Sequence, residues 1–401
     1  MKSEFDIMIV GGGVVGAALA CALKDSGLSI ALLDAQSPAI FDPNAEVDLR
    51  VFALSYASRR IMQAVGAWET VAAARVSPYR EMQVWDAGGK GSIHFDSADV
   101  GEPELGYIVE NSLLQHALWK QLEGKSQVTL LHPAKPEALT LEDEGASLVL
   151  DQGRRLKARL VVAADGAAST TRALAGIGVV SESYGQRAVV AHVQTERPHQ
   201  ATAWQRFLAT GPLAFLPLAD GRVSVVWSAE EAEAERILAL DDAGFCAALT
   251  RASEGRLGEV RSTTRRAAFP LQRLRAEQYV RGRFALVGDA AHAVHPLAGQ
   301  GVNLVLLDAA ALAEVISDAH TIGRDIGDLG VLRRYERWRK GDNLAMIFAL
   351  DGFKRLFSND IAPLVTLRTA GLRAVDGFTP LKHAFVRRAM GLSGDLPLLA
   401  R

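Results

Sequence analysis

The chain has 401 residues, of which 49% are hydrophobic and 22% charged, and its formal net charge at pH 7 is −2. This length and composition are typical of a soluble globular protein with about two or three domains. Basic and acidic residues are mixed along the chain, so we expect no nucleic-acid-binding surface. Both cysteines, Cys21 and Cys246, lie in apolar stretches, which indicates a reducing compartment and no disulfide framework.

An uncharged run of 17 residues, 7–23, lies near the start of the chain and has nearly the length of a short membrane span. Three consecutive glycines interrupt this run. Two acidic residues, Glu4 and Asp6, also precede it, at the place where a signal peptide carries positive charge. We therefore predict a cytoplasmic protein whose N-terminal run belongs to its fold.

The first part of the chain predicts a βαβ unit. Apolar residues at 6–10 predict a strand, 14–24 a helix and 29–34 a second strand. A further helix is predicted over 50–65. The later predicted elements are antiparallel strands within 79–109, a helix at 111–122, strands at 127–131, 137–150 and 158–164, strands within 184–228, a helix at 229–252, and helices from 308 to the end.

The α/β pieces of the chain are interrupted twice by segments that predict antiparallel strands. One domain is therefore expected to form from discontinuous segments, with a second sheet inserted into it. We predict an α/β fold with a Rossmann-like nucleotide-binding domain. The predicted division is 1–75, 110–175 and 276–317 for that domain, 76–109 and 176–275 for the inserted β-sheet domain, and 318–401 for a C-terminal helical region.

A glycine motif, GGGVVG at 11–16, links the first strand to the first helix. Gly11 permits a tight turn, Gly13 leaves room for a pyrophosphate, and Gly16 lets the helix pack closely on the strand. Asp34 ends the second strand, 18 residues after Gly16, where a carboxylate accepts hydrogen bonds from a ribose hydroxyl. In this context the motif predicts a dinucleotide site, with the phosphates at the helix N-terminus.

Two later strands also end in an acidic residue beside a glycine. Asp165 and Gly166 follow a buried strand, a pattern that a simple turn would also explain. Asp289 follows the strand at 284–288 and is placed to bind a sugar-type hydroxyl. The Gly-Gln-Gly at 299–301 leaves backbone N–H groups bare at the start of a predicted helix.

The order of these three motifs resembles the flavoprotein aromatic hydroxylases of the p-hydroxybenzoate hydroxylase type. The sequence GDAAHAVHPLAGQGVN at 288–303 is more specific and resembles the ubiquinone-biosynthesis hydroxylases of the UbiH/VisC/UbiI family. The resemblance to this family extends over essentially the whole chain. The stretch RAMGL at 388–392 is most similar to the UbiI/VisC branch. The further stretches that carry the resemblance are VWD at 84–86, IVENS at 108–112, AFLPL at 214–218, RRYER at 333–337 and RAMGL at 388–392.

The resemblance implies non-covalently bound FAD, with NAD(P)H as a transient electron donor. It implies an antiparallel substrate-binding sheet beside the FAD-binding domain. The matching positions are Gly11, Gly13, Gly16 and Asp34 for the pyrophosphate and adenosine, Arg50 for the flavin side, Asp165 and Gly166 for FAD and NAD(P)H, Asp289 for the ribitol and pyrophosphate, and Gly299, Gln300, Gly301 and Asn303 for the isoalloxazine edge.

The activity that the resemblance implies is a monooxygenase reaction on an aromatic ring. The substrate would be a polyprenylphenol intermediate of ubiquinone biosynthesis, hydroxylated at ring carbon 5 with O2 through a flavin hydroperoxide. The redox chemistry belongs to the cofactor, and the protein supplies binding and orientation. The alternatives are hydroxylation of another phenol and a non-catalytic flavoprotein subunit of a biosynthetic complex.

The substrate pocket and the loop at 289–301, which we call the flavin loop, are predicted from residue chemistry. Phe207, Phe215, Leu216 and Trp227 are expected to close a dry pocket, and the helix N-terminus at Gly301 is expected to favour the reduced anionic flavin. Pro296 is expected to fix the chain where it passes the flavin ring. The neighbouring His295 is the better histidine candidate for contact with flavin or substrate.

His292 and His295 are three residues apart, a spacing that also allows metal binding. No third ligand of matching type is near in the sequence, so we expect no metal site. The favoured role of His292 is loop structure. Contact with flavin or substrate stays open for both histidines.

Two other enzyme classes share part of the pattern. A simple NAD-dependent dehydrogenase has a GxGxxG and an acid but no use for the later Asp-Gly and Gly-Asp strands. A flavin-dependent halogenase needs a Trp-x-Trp-x-Ile-Pro stretch, which the sequence lacks. Both are disfavoured.

The segment 380–392 predicts an amphipathic helix with Leu381 and Phe385 on its apolar face. Lys382, Arg387 and Arg388 add positive charge, and a basic amphipathic helix is able to lie on a membrane surface. The alternative is a helix that packs on its own core. Because a polyprenylphenol resides in a membrane, peripheral contact with the inner membrane is a hypothesis here, as are a multi-enzyme complex and a homo-oligomer.

Overall fold

The computed structural model describes residues 3–38, 40–89, 91–151, 153–294, 299–357 and 361–401. Its strands are β1 (Phe5–Val10), β2 (Ile30–Leu33), β3 (Val51–Leu54), β4 (Ser77–Tyr79), β5 (Glu81–Asp86), β6 (Ser92–Asp96), β7 (Gly106–Glu110), β8 (Val128–Leu131), β9 (Pro136–Glu142), β10 (Gly145–Leu150), β11 (Arg155–Ala163), β12 (Val179–Thr195), β13 (Thr202–Leu208), β14 (Gly211–Pro217), β15 (Val223–Glu230), β16 (Val260–Thr263), β17 (Ala267–Ala276), β18 (Phe284–Leu286) and β19 (His292–Ala293). Its helices are α1 (Val14–Leu23), α2 (Tyr56–Ala64), α3 (Trp68–Ala72), α4 (Asn111–Lys120), α5 (Thr170–Leu174), α6 (Glu231–Leu238), α7 (Asp242–Ala252), α8 (Gly301–Thr321), α9 (Leu329–Phe357), α10 (Ala362–Gly377) and α11 (Thr379–Ala389).

The first sheet has the strand order β8-β2-β1-β11-β10-β9. Strand β18 also belongs to this sheet and pairs with β11. The strands β8, β2, β1, β11 and β18 are parallel, whereas β9 and β10 form an antiparallel edge. Ile7, Met8 and Ile9 of β1 have no exposed surface. Such continuous apolar strands are typical of a parallel sheet that is covered on both faces.

The parallel strands bring the sequence motifs to one edge of this sheet. The glycine turn follows β1, Asp34 follows β2, Asp165 follows β11, and Asp289 follows β18. Because parallel strands end at the same edge, these positions lie at the crevice where doubly wound α/β folds bind ligands.

The second sheet is mostly antiparallel and has the order β19-β17-β12-β15-β14-β13-β5-β6, with β16 beside β12. One face packs on α6 and α7, where Val189, Phe245 and Leu249 belong to a separate buried cluster. The opposite face meets the small sheet of β3, β7 and β4, where Leu216 and Leu218 pack with Ala53. The second sheet thus has one face in its own core and one face toward the nucleotide-binding part.

The C-terminal helices close the other end of the second sheet. Phe357 of α9 stacks on Phe207 of β13 with ring centres 4.3 Å apart. Arg368 of α10 forms a buried ion pair with Asp86 of β5, with 2.9 Å between Nε and Oδ2. Across the described ranges, no helix is both long enough and apolar enough to pass through a bilayer.

Two sequence predictions of helices are wrong in detail. Residues 51–54 form strand β3, which pairs with β7, because Val51 and Phe52 suit a strand; the helix begins only after Ser55, whose side chain accepts a hydrogen bond from the Ser58 N–H. The segment 229–252 contains two helices rather than one. Asp241 caps the second helix by accepting a hydrogen bond from the Gly244 N–H, a start signal that the prediction missed.

Candidate cofactor site

The glycine turn after β1 shows why each motif glycine is present. A Cβ on Gly11, whose φ is +106°, would lie 2.4 Å from the Ala164 carbonyl oxygen, and one on Gly16 would lie 1.9 Å from the Gly11 oxygen. A Cβ on Gly13 would meet no atom within 4 Å. Gly11 and Gly16 are therefore required by the packing of the chain, whereas Gly13 leaves an open space at the N-terminus of α1, where phosphates bind.

Asp34 holds the same turn from the end of β2. Its Oδ2 accepts a hydrogen bond from the Gly12 N–H at 2.6 Å. From the other side, Trp119 Nε1 and Gln115 Nε2 of α4 donate to the Gly12 carbonyl at 2.7 and 3.0 Å. Sequence reasoning missed Gln115 and Trp119 because only the fold brings α4 beside a turn about one hundred residues earlier.

Asp165 is engaged by its own segment. Its carboxylate accepts hydrogen bonds from the Ser169 hydroxyl and from the Thr171 N–H, the latter at 3.0 Å, at the N-terminus of the short helix α5, whose N-cap residue is Ser169. Gly166 follows with a φ of +81°, which requires glycine in this turn. Arg172 donates to the carbonyl of Ala290 at 2.8 Å and joins this turn to the one that carries Asp289. The predicted cofactor role of Asp165 thus competes with a clear structural role.

Asp289 differs from Asp165 because no hydrogen bond from a described residue reaches its carboxylate. Burial raises the pKa of Asp289, and the positive charges of His292 and Arg50 offset this only in part. Next to it, a Cβ on Gly288 would lie 3.0 Å from Val15 of α1, which places Asp289 beside the glycine turn. A half-buried carboxylate without a protein donor fits a ligand that brings hydroxyl groups.

Arg50 immediately precedes β3 and is exposed. Its guanidinium carbon lies 5.3 Å from the centre of the Phe52 ring. It is also one of the charges that act on Asp289. This position is compatible with the predicted flavin-side contact, which stays a prediction.

The flavin loop leads into α8 and is only partly described. His295 and Pro296, the predicted catalytic positions, lie outside the described residues. Gly299 has a φ of +64°, and a Cβ there would lie 2.8 Å from the Ala53 side chain. Gln300 occupies the N-cap position of α8, and Gly301 begins the helix. The helix predicted after this loop is therefore present, and the bare N–H groups expected at its start stay a prediction.

Asn303 was predicted as a cofactor contact, but its side chain is fully used within the protein. Its amide donates to the carbonyls of Ala53 at 3.0 Å and Gly299 at 3.3 Å. Its oxygen accepts from the Ser55 N–H at 2.9 Å and from the Ser58 hydroxyl at 2.7 Å. The prediction is corrected for this side chain, which fastens the flavin loop to β3 and α2.

A buried polar cluster lies behind the loop, which we call the α8–α9 polar cluster: His292, Asp308, Arg339 and Asn343. Asp308 accepts hydrogen bonds from His292, from Arg339 Nε at 2.8 Å and from Asn343 at 3.0 Å. Burial alone would raise the pKa of Asp308, but the charges and hydrogen bonds of His292 and Arg339 outweigh it and lower the pKa to about 2. His292 thus has the structural role that the sequence favoured.

Of the two histidines in the metal interpretation, only His292 lies within the described residues. Among the residues that the structure describes, no group of three His, Cys, Asp or Glu side chains is arranged to hold a metal ion. The His292 Nε2 lies within hydrogen-bond distance of Asp308 and 2.8 Å from Nδ2 of Asn343.

The four predicted pocket residues lie on two different faces of the second sheet. Phe215 and Trp227 are buried against α6 and α7. Leu216 faces Ala53 in the small cluster near the flavin loop, and Phe207 packs on α9. Neighbouring residues of a strand point to opposite faces, so Phe215 and Leu216 cannot line one pocket. The pocket prediction is corrected accordingly, and Leu216 and Phe207 remain candidates.

Changing Asp289 or Asp165 to asparagine is expected to affect different properties: FAD affinity in the first case and the stability of the apoprotein in the second. In Asp289→Asn we expect FAD to bind about tenfold to a hundredfold more weakly, because a hydrogen bond to a charged group contributes about 1.5–3 kcal/mol, with the stability of the apoprotein unchanged or higher. In Asp165→Asn we expect the apoprotein to lose about 1 kcal/mol, because a neutral amide oxygen accepts weaker hydrogen bonds than a carboxylate from Ser169 and Thr171. FAD titration and urea unfolding of both apoproteins measure this, and equal FAD affinity in Asp289→Asn and the wild type would contradict it.

Comparison with known proteins identifies the family. A family model described as "FAD binding domain" matches residues 4–340. The chain is 41% identical over 399 residues to a protein named ubiquinone hydroxylase UbiL of Rhodospirillum rubrum, covering 99% of this chain and 92% of that protein. It is 40% identical to the 3-demethoxyubiquinol 3-hydroxylase of Escherichia coli, covering 96% of this chain and 98% of that protein.

The solved structures agree with this result. The crystal structure of PqsL from Pseudomonas aeruginosa in complex with 2-aminobenzoylacetate is 25% identical, with a TM-score of 0.79, and the match covers 92% of this chain and 99% of that one. The predicted fold class is confirmed, as is FAD as the cofactor. The domain boundaries stay predictions. The chain belongs to the family of FAD-dependent monooxygenases that includes the ubiquinone hydroxylases.

Proposed function

We propose that this protein hydroxylates the aromatic ring of a polyprenylphenol intermediate of ubiquinone biosynthesis. The observation that carries the proposal is the near full-length identity of 40–41% with two proteins named as hydroxylases of ubiquinone or its precursor. Carbon 5 is the ring position that the resemblance to the UbiI/VisC branch implies. The name of the Escherichia coli relative specifies position 3. Analysis of the hydroxylated product of this protein distinguishes the two ring positions.

Bound FAD supplies the redox chemistry, taking two electrons from NAD(P)H and activating O2 so that one oxygen atom enters the ring and the other leaves as water. The residues of this chain bind and orient the reactants. Gly13 and the N-terminus of α1 suit the pyrophosphate, and Asp34 and Asp289 suit the ribose and ribitol hydroxyls.

The flavin end of the site lies at the start of α8. A Cβ on Gly301, the first residue of this helix, would lie 4.0 Å from Val294 Cγ2, and the positive end of the helix dipole favours negative charge on the flavin ring. Leu216 and Ala53 form an apolar wall nearby that limits water. We retain Arg50, Gly299 and Gln300 as cofactor contacts in this proposal.

The test of the proposed function begins with the purified yellow protein. Under anaerobic conditions, NAD(P)H is expected to bleach the visible absorbance of the oxidised flavin. After O2 is admitted with a prenylated phenol, mass spectrometry is expected to find one added oxygen atom that derives from O2. A protein whose flavin no reductant bleaches would instead fit a non-catalytic subunit. A protein that hydroxylates only unprenylated phenols would point to another substrate.

Peripheral membrane contact is a further part of this proposal. Phe378, Leu381 and Phe385 at α11 are between 41% and 58% exposed, so this apolar face is not covered by the described part of the chain. Arg387 lies in the last turn of the helix. Lys382, however, is largely buried and pairs with Asp99 and Asp376, so it does not serve as a free positive charge. The apolar side chains therefore carry the hypothesis.

Vesicle binding tests this surface directly. Replacing Phe378 and Phe385 together with serine is expected to weaken binding to phosphatidylglycerol vesicles at least about tenfold, because each buried phenylalanine contributes about 1.5–3 kcal/mol. Ile322→Ser is the matched control, since Ile322 is 66% exposed and lies between α8 and α9. Cosedimentation measures the binding. An unchanged affinity in the double variant would exclude this surface.

A further inference from the structure

A cavity of about 170 Å³ lies between the small β3-β7-β4 sheet and the turn that follows β14. Its wall is mainly apolar, with Val47, Val51, Ile108 and Leu218 among the lining side chains. A dry apolar cavity of about 150 Å³ is enough to hold a benzene-sized ligand. The size and the lining therefore suit a small hydrocarbon group.

Three charged residues, Arg75, Glu110 and Asp220, also line the cavity, and each of them has an ion-pair partner. Arg75 bonds Glu110 at 2.9 Å, and Arg222 bonds Glu46 and Asp220, each at 2.6 Å. The Arg222–Glu46 pair ties the second sheet to the segment before β3. The charges thus hold the walls together and leave no single charge to attract an ionic ligand, so the cavity is preformed for an uncharged one.

The cavity and the flavin loop both adjoin β3, where Val51 and Ala53 belong to one apolar cluster with Leu216 and Leu218. Val51 lines the cavity, and Ala53, two residues later on the same face of the strand, contacts Gly299 of the flavin loop. Two residues of a strand span roughly 7 Å. A ring placed beside the flavin loop is therefore within reach of the cavity through a substituent of a few carbon atoms.

A second cavity beside the same loop offers a contrast. It has a volume of about 40 Å³, and Arg339, Asp342 and Arg388 are among its lining residues. Its volume is too small for a hydrocarbon group. Of these two cavities, only the larger one has room for a branched carbon chain.

We propose that the cavity between β3, β7 and the turn after β14 binds the first part of the prenyl tail, next to the aromatic ring. This inference rests on the proposed function and adds to it the place where the enzyme distinguishes a prenylated phenol from a simple one. An isoprene unit has fewer heavy atoms than benzene, so one unit fits the volume. The tail interaction is made equally before and during the reaction, so it lowers KM rather than raising kcat.

The experiment compares 2-prenylphenol with 2-methylphenol as substrates of the holoenzyme. For the wild type, kcat/KM is expected to be at least about tenfold higher for the prenylated phenol, because each buried methylene changes affinity about fourfold. Ala74 lines the cavity, and Ala74→Phe is expected to remove most of this preference through KM. Ala73→Phe is the matched control, because Ala73 is exposed and does not line the cavity.

A second variant approaches the cavity from the opposite wall. Val47→Phe is expected to reduce the preference in the same way, and FAD absorbance checks that each variant is folded and loaded. If the wild type hydroxylates neither phenol, the proposed function itself fails. If it hydroxylates both and neither Ala74→Phe nor Val47→Phe changes the ratio of kcat/KM values, the tail site is overturned while the proposed function stands.

Discussion

Replacing Gly13 with alanine is expected to weaken FAD binding about 100-fold, or ~2.7 kcal/mol, while the apoprotein keeps its fold and its stability. The added methyl group meets no protein atom within 4 Å, and the φ of Gly13 is −65°, which alanine adopts without strain. The methyl group instead occupies the space at the N-terminus of α1 that the pyrophosphate needs.

The expected stability of Gly13→Ala follows from two small opposing effects. Alanine is a poorer N-cap than glycine, by a few tenths of a kcal/mol to about 1 kcal/mol. Alanine also reduces the entropy of the unfolded chain, which contributes about 0.4–1 kcal/mol in the other direction. The free energy of unfolding of the apoprotein should therefore change by less than about 0.5 kcal/mol.

Gly16→Ala is the control that separates cofactor binding from folding. Its Cβ would lie 1.9 Å from the Gly11 carbonyl oxygen, so α1 must move away from β1. We expect this variant to lose stability even without FAD. Urea unfolding of the apoproteins and fluorescence titration with FAD measure both quantities. Wild-type FAD affinity in Gly13→Ala would show that no phosphate group approaches this turn.

The nucleotide-binding part could be predicted from the sequence because its signals are local. The strand, glycine turn and helix of residues 5–23 follow one another directly, and the spacing of Gly11, Gly13 and Gly16 has a steric reason at each position. Asp34 was found in the same way, from its place at the end of the next strand. Such patterns depend on neighbours in the chain, which the sequence displays.

The contacts that the sequence did not reveal join distant segments. Trp119 and Gln115 reach Gly12 only after α4 has packed beside the turn, and Arg172 reaches the Ala290 carbonyl only after β11 and β18 have paired. Asn303 shows the reverse case. Its motif position indicated a cofactor contact, but its amide is consumed by the backbone and side chains of residues about 250 positions earlier.

The pocket prediction failed in part for a reason that strand geometry supplies. Phe215 and Leu216 are both apolar and adjacent, and composition alone gave no means of choosing between the two faces of β14. The structure packs the Phe215 face on α6 and α7 and turns the Leu216 face toward Ala53. Because the period of a strand is two residues, knowing which face the helices cover decides the direction of every side chain in it.

Replacing Arg339 with methionine is expected to destabilise the folded protein by about 3–5 kcal/mol. Arg339 and Asp308 are at most 1% exposed, and methionine leaves the Asp308 carboxylate buried without its guanidinium partner. Arg334→Met is the matched control, because Arg334 pairs with Asp318 across the same two helices, α9 and α8, but both side chains are more than 40% exposed. An exposed pair contributes about 0–1 kcal/mol, so this control should be nearly neutral.

The difference between the wild type and Arg339→Met should depend on pH with a defined sign. In the wild type the pKa of Asp308 in the folded protein, about 2, is below that in the unfolded chain. The resulting stabilisation is complete above about pH 4 and is lost as the pH falls toward about 2. Arg339→Met lacks most of this stabilisation at every pH. The difference in the free energy of unfolding between the two proteins should therefore become smaller as the pH falls from about 4 toward about 2. Urea unfolding between neutral and acidic pH measures this difference, and a difference that stays constant would show that Asp308 is not charged in the folded wild type.

The double variant Asp308→Leu/Arg339→Met distinguishes the loss of an attraction from the cost of an unpaired charge. If the cost lies in the orphaned carboxylate, removing that carboxylate should recover part of the stability that Arg339→Met loses, because a buried ion pair replaced by apolar residues is often close to neutral. Recovery should be incomplete, since Asn343 and His292 then lose Asp308 as their acceptor. A double variant less stable than Arg339→Met would mean that the hydrogen bonds of Asp308 to His292 and Asn343 outweigh the penalty of its charge.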